Sequence, residues 1–167
     1  MAALAADAQY RELVATQFSS VTAENVMQWE SLEPTCGTYN WGPADELIAF
    51  AERNDQVARG HVLVWHNQLP GWLTTGVSNG TISTAELREL LRKHITAVVS
   101  HFKGKISQWD VVNEAASDPW DSPSSIRYKG FWAQRLGPTY LADAFRWARA
   151  ADPEALLFYR LQHRGVR

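Results

Sequence analysis

Apolar positions along the chain follow two alternating periods, and this alternation predicts strands that take turns with helices. Short apolar runs rich in β-branched residues predict four strands, at residues 18–26, 57–65, 106–112 and 155–159. Apolar residues at helical spacing predict four helices, at residues 2–17, 44–54, 83–102 and 139–150. Elements that alternate in this order predict parallel strands joined by right-handed crossovers.

Local signals mark where several of these helices begin and end. Ser83 and Glu86 have the spacing of a capping box, and Pro43 suits the first position of the helix that follows it. Pro153 ends the last helix. In the first helix, the side chains expected to face inward are those of Leu4, Tyr10, Leu13 and Val14. Residues 66–80 and 117–137 are predicted to be loops, the second with a helical turn near residue 131.

The fold class follows from this order of elements. No strand is followed by a glycine-rich phosphate loop, which argues against a nucleotide-binding sheet. A (β/α) barrel matches better, but a whole barrel needs about 250 residues for eight units. The four predicted strands therefore indicate either an unusual small α/β domain or part of a barrel.

Composition and charge exclude several classes of function. Of the 167 residues, 46% are hydrophobic and 20% charged, which is typical of a globular protein. A net charge of −2 provides no basic face for nucleic acid or a membrane surface, and no apolar run is long enough to span a bilayer. The single cysteine, Cys36, cannot form an internal disulfide. The apolar start lacks the charged region of a signal peptide.

Polar residues cluster where three of the predicted strands end. The clusters are residues 24–25, residues 61–68 and the pair Asn113 and Glu114. Taken alone, a histidine here would be a half-buried core residue and Glu114 a solvated loop residue. Three clusters at corresponding strand ends instead favour a shared site, because barrel chemistry lies at the carboxyl ends of the strands. Along a strand, His61 and His66 fall on opposite faces, which argues against a metal site, and no cofactor is predicted.

The chain is rich in tryptophan, with eight residues. Trp72 and Trp120 lie in segments predicted to be loops, where an indole is costly to expose unless it packs or binds something flat. A ligand with apolar faces, such as a sugar ring, is therefore one candidate, and loop packing is the favoured alternative for Trp72.

Three motifs together resemble glycoside hydrolase family 10, the endo-β-1,4-xylanases. They are Glu-Asn-Val-Met-Gln-Trp at 24–29, Gly-His-Val-Leu-Val-Trp-His-Asn-Gln-Leu-Pro-Gly-Trp at 60–72, and Trp-Asp-Val-Val-Asn-Glu-Ala at 109–115. The resemblance runs from about residue 10 to residue 159. It implies an α/β fold that is a partial TIM (β/α)8 barrel, about the first half, and a retaining hydrolase of xylan or xylo-oligosaccharides.

The resemblance also implies a role for each matching residue. Glu114 would be the general acid/base, and Asn113 would bind the 2-hydroxyl of the sugar at the cleavage point. His61, Trp65 and Gln68 would line that same sugar. The next sugar along would be held by Glu24, Asn25 and Gln28. The family has a lysine in place of Gln28, so weaker substrate binding is expected, with the chemistry retained.

The carboxyl end departs from the family pattern. Where the family continues Asn-Asp-Tyr-Asn-Ile-Glu, this chain has Arg160 and the residues after it. The codons of Asp-Tyr-Asn-Ile-Glu-Gly, read with a single-base shift, spell Arg-Leu-Gln-His-Arg-Gly. We therefore divide the chain into a partial catalytic domain, 1–159, and an aberrant tail, 160–167, with out-of-frame reading as the hypothesis for the tail.

Two functional hypotheses remain after these comparisons of motifs, because the motifs argue strongly against an unrelated structural domain. The first is a retaining endo-xylanase, secreted as the family leads us to expect. The second is an inert fragment that at best binds xylan weakly. It rests on the family nucleophile, which the resemblance places on a later strand and which has no match among the glutamates of this chain. The oligomeric state is left open.

Overall fold

Four parallel strands form a single sheet in the structure, a computed structural model that describes residues 2–116 and 130–160. The strands are β1 (Ser20–Thr22), β2 (Val57–Val64), β3 (Gln108–Asn113) and β4 (Leu156–Arg160). Their order in the sheet is their order in the chain, and each neighbouring pair is parallel. This confirms the predicted alternation of parallel strands and helices.

Helices connect and cover these strands. In chain order they are α1 (Ala2–Ala6), α2 (Ala8–Gln17), α3 (Trp29–Leu32), α4 (Gly42–Arg53), α5 (Gly71–Ser78), α6 (Thr84–His101), α7 (Phe131–Leu136) and α8 (Tyr140–Ala151). The sequence missed the four-residue α3, and the segment 66–80, predicted to be a loop, contains α5. None of the helices described is both long and apolar enough to cross a bilayer.

The longest helix, α6, shows how local sequence signals become structure. The Ser83 hydroxyl accepts a hydrogen bond from the Glu86 backbone N–H, while the Glu86 carboxylate accepts from the Ser83 backbone N–H, which confirms the predicted capping box. The apolar stripe of the helix is buried against the sheet and α8. After the helix, Gly104 adopts a φ of +80°, a conformation that glycine tolerates best.

The core lies between the sheet and its helices and contains the bulky side chain of Trp109, which is 1% exposed. Trp109 of β3 pairs with Gly60 of β2, and its ring lies over that glycine. A methyl group at position 60 would come within 2.1 Å of the Trp109 ring. Gly60 is therefore required by the close approach of an indole and not by a turn.

The amino-terminal segment differs from its prediction as one amphipathic helix. Asp7 separates α1 from α2, because its carboxylate caps α2 by accepting from the backbone N–H groups of Gln9 and Tyr10. The predicted inward positions of Tyr10 and Leu13 are wrong, since these side chains are 45% and 52% exposed. These side chains are exposed because α2 precedes β1, an edge strand, and no element among the described residues covers α2.

Both edges of the sheet carry exposed apolar side chains. Phe18 and Val57 lie near the β1 edge, and Leu156 and Tyr159 belong to β4 at the other edge. A sheet with uncovered apolar edges is unusual for a finished domain. The described residues therefore form an open part of a larger architecture.

Candidate active site

The polar clusters predicted from the sequence lie at the carboxyl ends of the parallel strands. Because the strands are parallel, the residues that follow β1, β2 and β3 meet at their common carboxyl ends. Glu24 and Asn25 come after β1, Trp65 directly after β2, and Glu114 directly after β3. The structure thus brings the three motifs to the carboxyl ends of the strands, where the active sites of barrel enzymes lie.

Glu114 is held by one hydrogen bond to its carboxylate and one from its backbone. Its Oε2 accepts a hydrogen bond of 3.0 Å from the indole Nε1 of Trp65, and its backbone N–H donates to the Arg160 carbonyl at 2.9 Å. Glu114 also has a φ of +55°. A non-glycine residue in this region costs about 1–3 kcal/mol, and such conformations persist where the surroundings fix them, often at functional sites.

A small cavity separates Glu114 from the helical layer. Its volume is about 10 Å³, close to the room needed for one water molecule. It is lined by Trp65, Asn113, Glu114, Trp132 and Tyr140, among others. The indole Nε1 of Trp132 donates to the backbone carbonyl of Trp65 at 2.7 Å. Glu114 is therefore partly buried, and aromatic side chains line the cavity beside it.

His61 is oriented by a buried carboxylate that the sequence analysis did not single out. The Nδ1 of His61 lies 3.0 Å from Oδ2 of Asp110, and the guanidinium of Arg59 binds the same carboxylate. Burial opposes ionisation of Asp110, but hydrogen bonds from His61 and Arg59 outweigh it and hold the pKa of that carboxyl below its usual value. An ionised carboxylate only accepts, so Nδ1 of His61 carries a proton.

Two further site residues, Asn25 and Gln68, are joined by a hydrogen bond. The Gln68 amide donates to Oδ1 of Asn25 at 2.9 Å, from a backbone with a φ of +50°. Gln28 is 2% exposed, and its amide reaches only the backbone carbonyl of Glu24, at 3.4 Å. Within the chain segments described, no hydrogen bond joins Asn25 or Gln68 to His61, Trp65 or Glu114.

Asn113 carries an unused hydrogen-bonding atom. The residue is 4% exposed, and its Oδ1 has no partner among the described residues. A buried acceptor left unpaired costs about 1–3 kcal/mol, so such an atom is expected to find a partner when a ligand is present.

The remaining candidates are structural or lie elsewhere. Trp72 donates through Nε1 to the Glu33 carbonyl and contacts the ring of Trp29 edge-on, as loop packing predicts. Trp120 lies outside the described residues. Asp110 could have been found from sequence, because a charge inside a buried strand signals a partner. Trp132 could not, since its bond to Trp65 joins residues 67 positions apart.

Comparisons with known proteins agree with this geometry. A sequence profile described as Glycosyl hydrolase family 10 matches residues 1–160. Endo-1,4-beta-xylanase B of Thermotoga neapolitana is 43% identical over 151 residues, which cover 90% of this chain and 41% of that protein. A beta-1,4-xylanase of Dictyoglomus thermophilum is 43% identical over 150 residues, covering 90% of this chain and 40% of that protein. The chain thus spans about two-fifths of the length of these relatives.

Solved structures show the same relationship. Xylanase 10B of Thermotoga petrophila, in complex with xylobiose, matches with a TM-score of 0.80 at 43% identity over 90% of this chain and 43% of that one. Native xylanase 10B of Thermotoga maritima matches with a TM-score of 0.82 at 44% identity over 92% of this chain and 45% of that one. The four-stranded sheet is therefore part of a TIM barrel, as predicted.

Proposed function

The chain belongs to glycosyl hydrolase family 10, and we propose that it serves the endo-hydrolysis of β-1,4-xylosidic linkages in xylan with retention of configuration. The observation that carries the proposal is the hydrogen bond from Trp65 to Glu114. It lies at the carboxyl ends of the strands, together with the predicted sugar-binding residues. Its substrate is xylan or a xylo-oligosaccharide. Its secretion is proposed from the family alone.

In this proposal Glu114 is the general acid/base. It protonates the glycosidic oxygen as the bond breaks, and afterwards it takes a proton from the attacking water. The bond from Trp65 occupies Oε2, which favours the other carboxylate oxygen as the site of the transferred proton. The ring of Trp65 supplies the apolar wall of the sugar at the cleavage point.

The neighbouring amides and His61 bind that sugar. The unpaired Oδ1 of Asn113 accepts from the 2-hydroxyl, a bond that tightens as the ring gains positive charge. His61, fixed through Nδ1 by Asp110, offers Nε2 to a hydroxyl. The next sugar along is held by Glu24 and Asn25 together with Gln28.

Double displacement needs a second carboxylate, roughly 5 to 5.5 Å from the first. The family resemblance assigns this nucleophile to a later strand of the barrel, so the full cycle is proposed for the barrel as a whole. The second candidate function is accordingly an inert part that binds xylan weakly. Exposed apolar side chains near the edge strands β1 and β4 favour this second candidate, because a sheet that is not closed into a barrel forms only part of the substrate site.

Release of reducing sugar from xylan separates the two candidates, with the Glu114→Gln variant as control. Release that is lost in this variant supports the hydrolase. Calorimetric titration with xylotriose tests the alternative: binding without hydrolysis, abolished in Asn113→Ala, supports a binding-only chain. Absence of both hydrolysis and binding contradicts both candidates.

A further inference from the structure

Trp132 lines the same small cavity as Glu114, the proposed acid/base, and hydrogen bonds link the two residues through Trp65. It belongs to α7, is 2% exposed, and donates its indole Nε1 to the carbonyl of Trp65 at 2.7 Å. Trp65 in turn donates its own indole Nε1 to Oε2 of Glu114 at 3.0 Å. Two successive indole N–H groups therefore connect α7 to the carboxylate of Glu114, which follows β3.

The bond to the Trp65 carbonyl fixes a backbone group where the strand has ended. Trp65 is the first residue after β2, so the regular strand ladder stops one residue before it. A partly buried backbone carbonyl outside regular secondary structure is stabilised by a partner, and Trp132 supplies one. Because the side chain of Trp65 leaves the same backbone, fixing that peptide group fixes the starting direction of its Cα–Cβ bond and restricts the rotamers that can place Nε1 beside Glu114.

Trp132 is itself held on both sides by aromatic rings. Its ring stacks on Trp29 with centroids 5.7 Å apart, and Trp29 stacks on His94 at 3.9 Å. Phe131 contacts Trp132 edge-on at 4.9 Å. We call His94, Trp29 and Trp132 the aromatic column. The column joins α6, α3 and α7, so stacking on Trp29 restricts the rotation of the Trp132 ring.

A hydrogen bond anchors the column as well. The indole Nε1 of Trp29 donates to Oε2 of Glu33 at 2.8 Å. Thus Trp29 and Trp132 each use their only side-chain donor in a directed bond. Hydrogen bonds together with stacking fix the orientation of the Trp29 and Trp132 rings, whereas stacking alone would let each ring turn in its own plane.

We propose that Trp132 is a positioning residue, which aims the indole N–H of Trp65 and through it the carboxylate of Glu114. The chemical use of this arrangement rests on the proposed function. The arrangement itself can be tested without xylan, so failure of the hydrolase assay and failure of this proposal are distinguishable.

The test removes one N–H group and keeps the ring. Trp132→Phe preserves an aromatic ring for the column but deletes the donor to Trp65. Trp109→Phe is the matched control: Trp109 is 1% exposed, its Nε1 has no partner in the described part of the chain, and the change in side-chain volume is the same. A purely packing role for Trp132 predicts similar effects of both variants on Trp65.

The readout is the indole N–H resonance of Trp65 in protein labelled with ¹⁵N-tryptophan, assigned by its loss in Trp65→Phe. In the wild-type background, Glu114→Gln shifts this resonance. In Trp132→Phe we expect that response to be lost and solvent exchange of the Trp65 indole proton to be about tenfold faster, as for a weakened bond to a charged acceptor. Trp109→Phe should retain both properties.

Retention of the Glu114→Gln response and of slow exchange in Trp132→Phe would overturn the proposal, as would their loss in Trp109→Phe. If Trp132→Phe does not fold, native-state exchange of the wild-type chain in low denaturant decides. The proposal predicts that the Trp65 indole proton exchanges in every opening that exposes Trp132. Exchange at Trp132 while Trp65 stays protected would overturn it.

Discussion

The indole Nε1 of Trp65 donates to Oε2 of Glu114 at 3.0 Å, so a ring that follows β2 holds the carboxylate that follows β3. Hydrogen bonds to a charged acceptor contribute more than neutral ones, and this one is only partly exposed. The two side chains should therefore be energetically coupled in the folded chain, whether or not sugar is present.

A double-mutant cycle of Trp65→Phe and Glu114→Gln measures that coupling. We expect a coupling energy of about 1 kcal/mol in the free energy of unfolding, measured with urea. The control pairs Glu114→Gln with Trp72→Phe, because the Trp72 indole donates to the Glu33 carbonyl and not to Glu114. Additive effects in the first cycle, or equal coupling in both, would contradict the bond.

Asp110 makes the stability of the chain depend on pH. Hydrogen bonds from His61 and Arg59 outweigh the cost of burial and hold the pKa of Asp110 below its usual value in the folded chain. A depressed folded-state pKa means that the unfolded chain binds the proton more tightly. The associated stability is therefore present above about pH 4 and is lost as pH falls through the lower, folded-state pKa.

Asp110→Asn tests this linkage. Arg59 would lose its charged partner, but since its side chain is 33% exposed we expect a loss of about 2 kcal/mol at pH 7, less than for a fully buried pair. The difference between wild type and variant should shrink between pH 5 and pH 2 in urea unfolding. A difference independent of pH over this range would show that the Asp110 carboxylate is not stabilised by these partners.

Gln28 is the position where the family resemblance implies a lysine, and the structure buries it with a single long hydrogen bond from its amide to the Glu24 carbonyl. We expect Gln28→Lys to bind xylotriose more tightly, because it adds a positive charge where the family has one. It should also lower the free energy of unfolding by about 1–3 kcal/mol, because a buried ammonium lacks a partner without sugar.

Calorimetric titration and urea unfolding check the two effects of this change, with Gln28→Met as a control that removes hydrogen bonding without adding charge. An unchanged affinity in Gln28→Lys would contradict the idea that Gln28 weakens substrate binding.

Gly60 is required by the ring of Trp109. In Gly60→Ala, a methyl group would come within 2.1 Å of that ring, which is buried in the core and must shift. We expect a loss of about 1–3 kcal/mol in the free energy of unfolding, typical of overpacking. Gly71→Ala is the matched control, since beyond its chain neighbours and the backbone of its own helix no atom lies within 4 Å of the added methyl there. Equal effects of the two variants would contradict this account.

The sequence predicted the strands and the site edge because both depend on local pattern. Apolar runs define strands, and parallel order brings their carboxyl ends together. Asn113 ends β3, and Glu114 follows it directly. Contacts between distant segments could not be predicted this way. The Trp132 bond to Trp65 and the stacking of Trp29 on His94 depend on how helices pack over the sheet.

The exposed positions of Tyr10 and Leu13 illustrate another limit of the sequence pattern. An amphipathic pattern indicates that a helical face has an apolar preference, but it does not identify the element that covers it. Here α2 precedes β1, an edge strand, and none of the α2 residues is buried. The domain boundary at residue 159 and the hypothesis of an aberrant tail stay predictions, since residues 161–167 lie outside the described part.

The central claim is that Glu114 donates the proton to the leaving oxygen. The most direct test compares wild type and Glu114→Gln on xylan and on a nitrophenyl xylobioside, whose leaving group needs no proton. We predict a loss of about 10²- to 10⁴-fold on xylan and a much smaller loss in the first, bond-breaking step on the nitrophenyl substrate. Equal losses on both substrates, or no loss on xylan, would contradict the assignment.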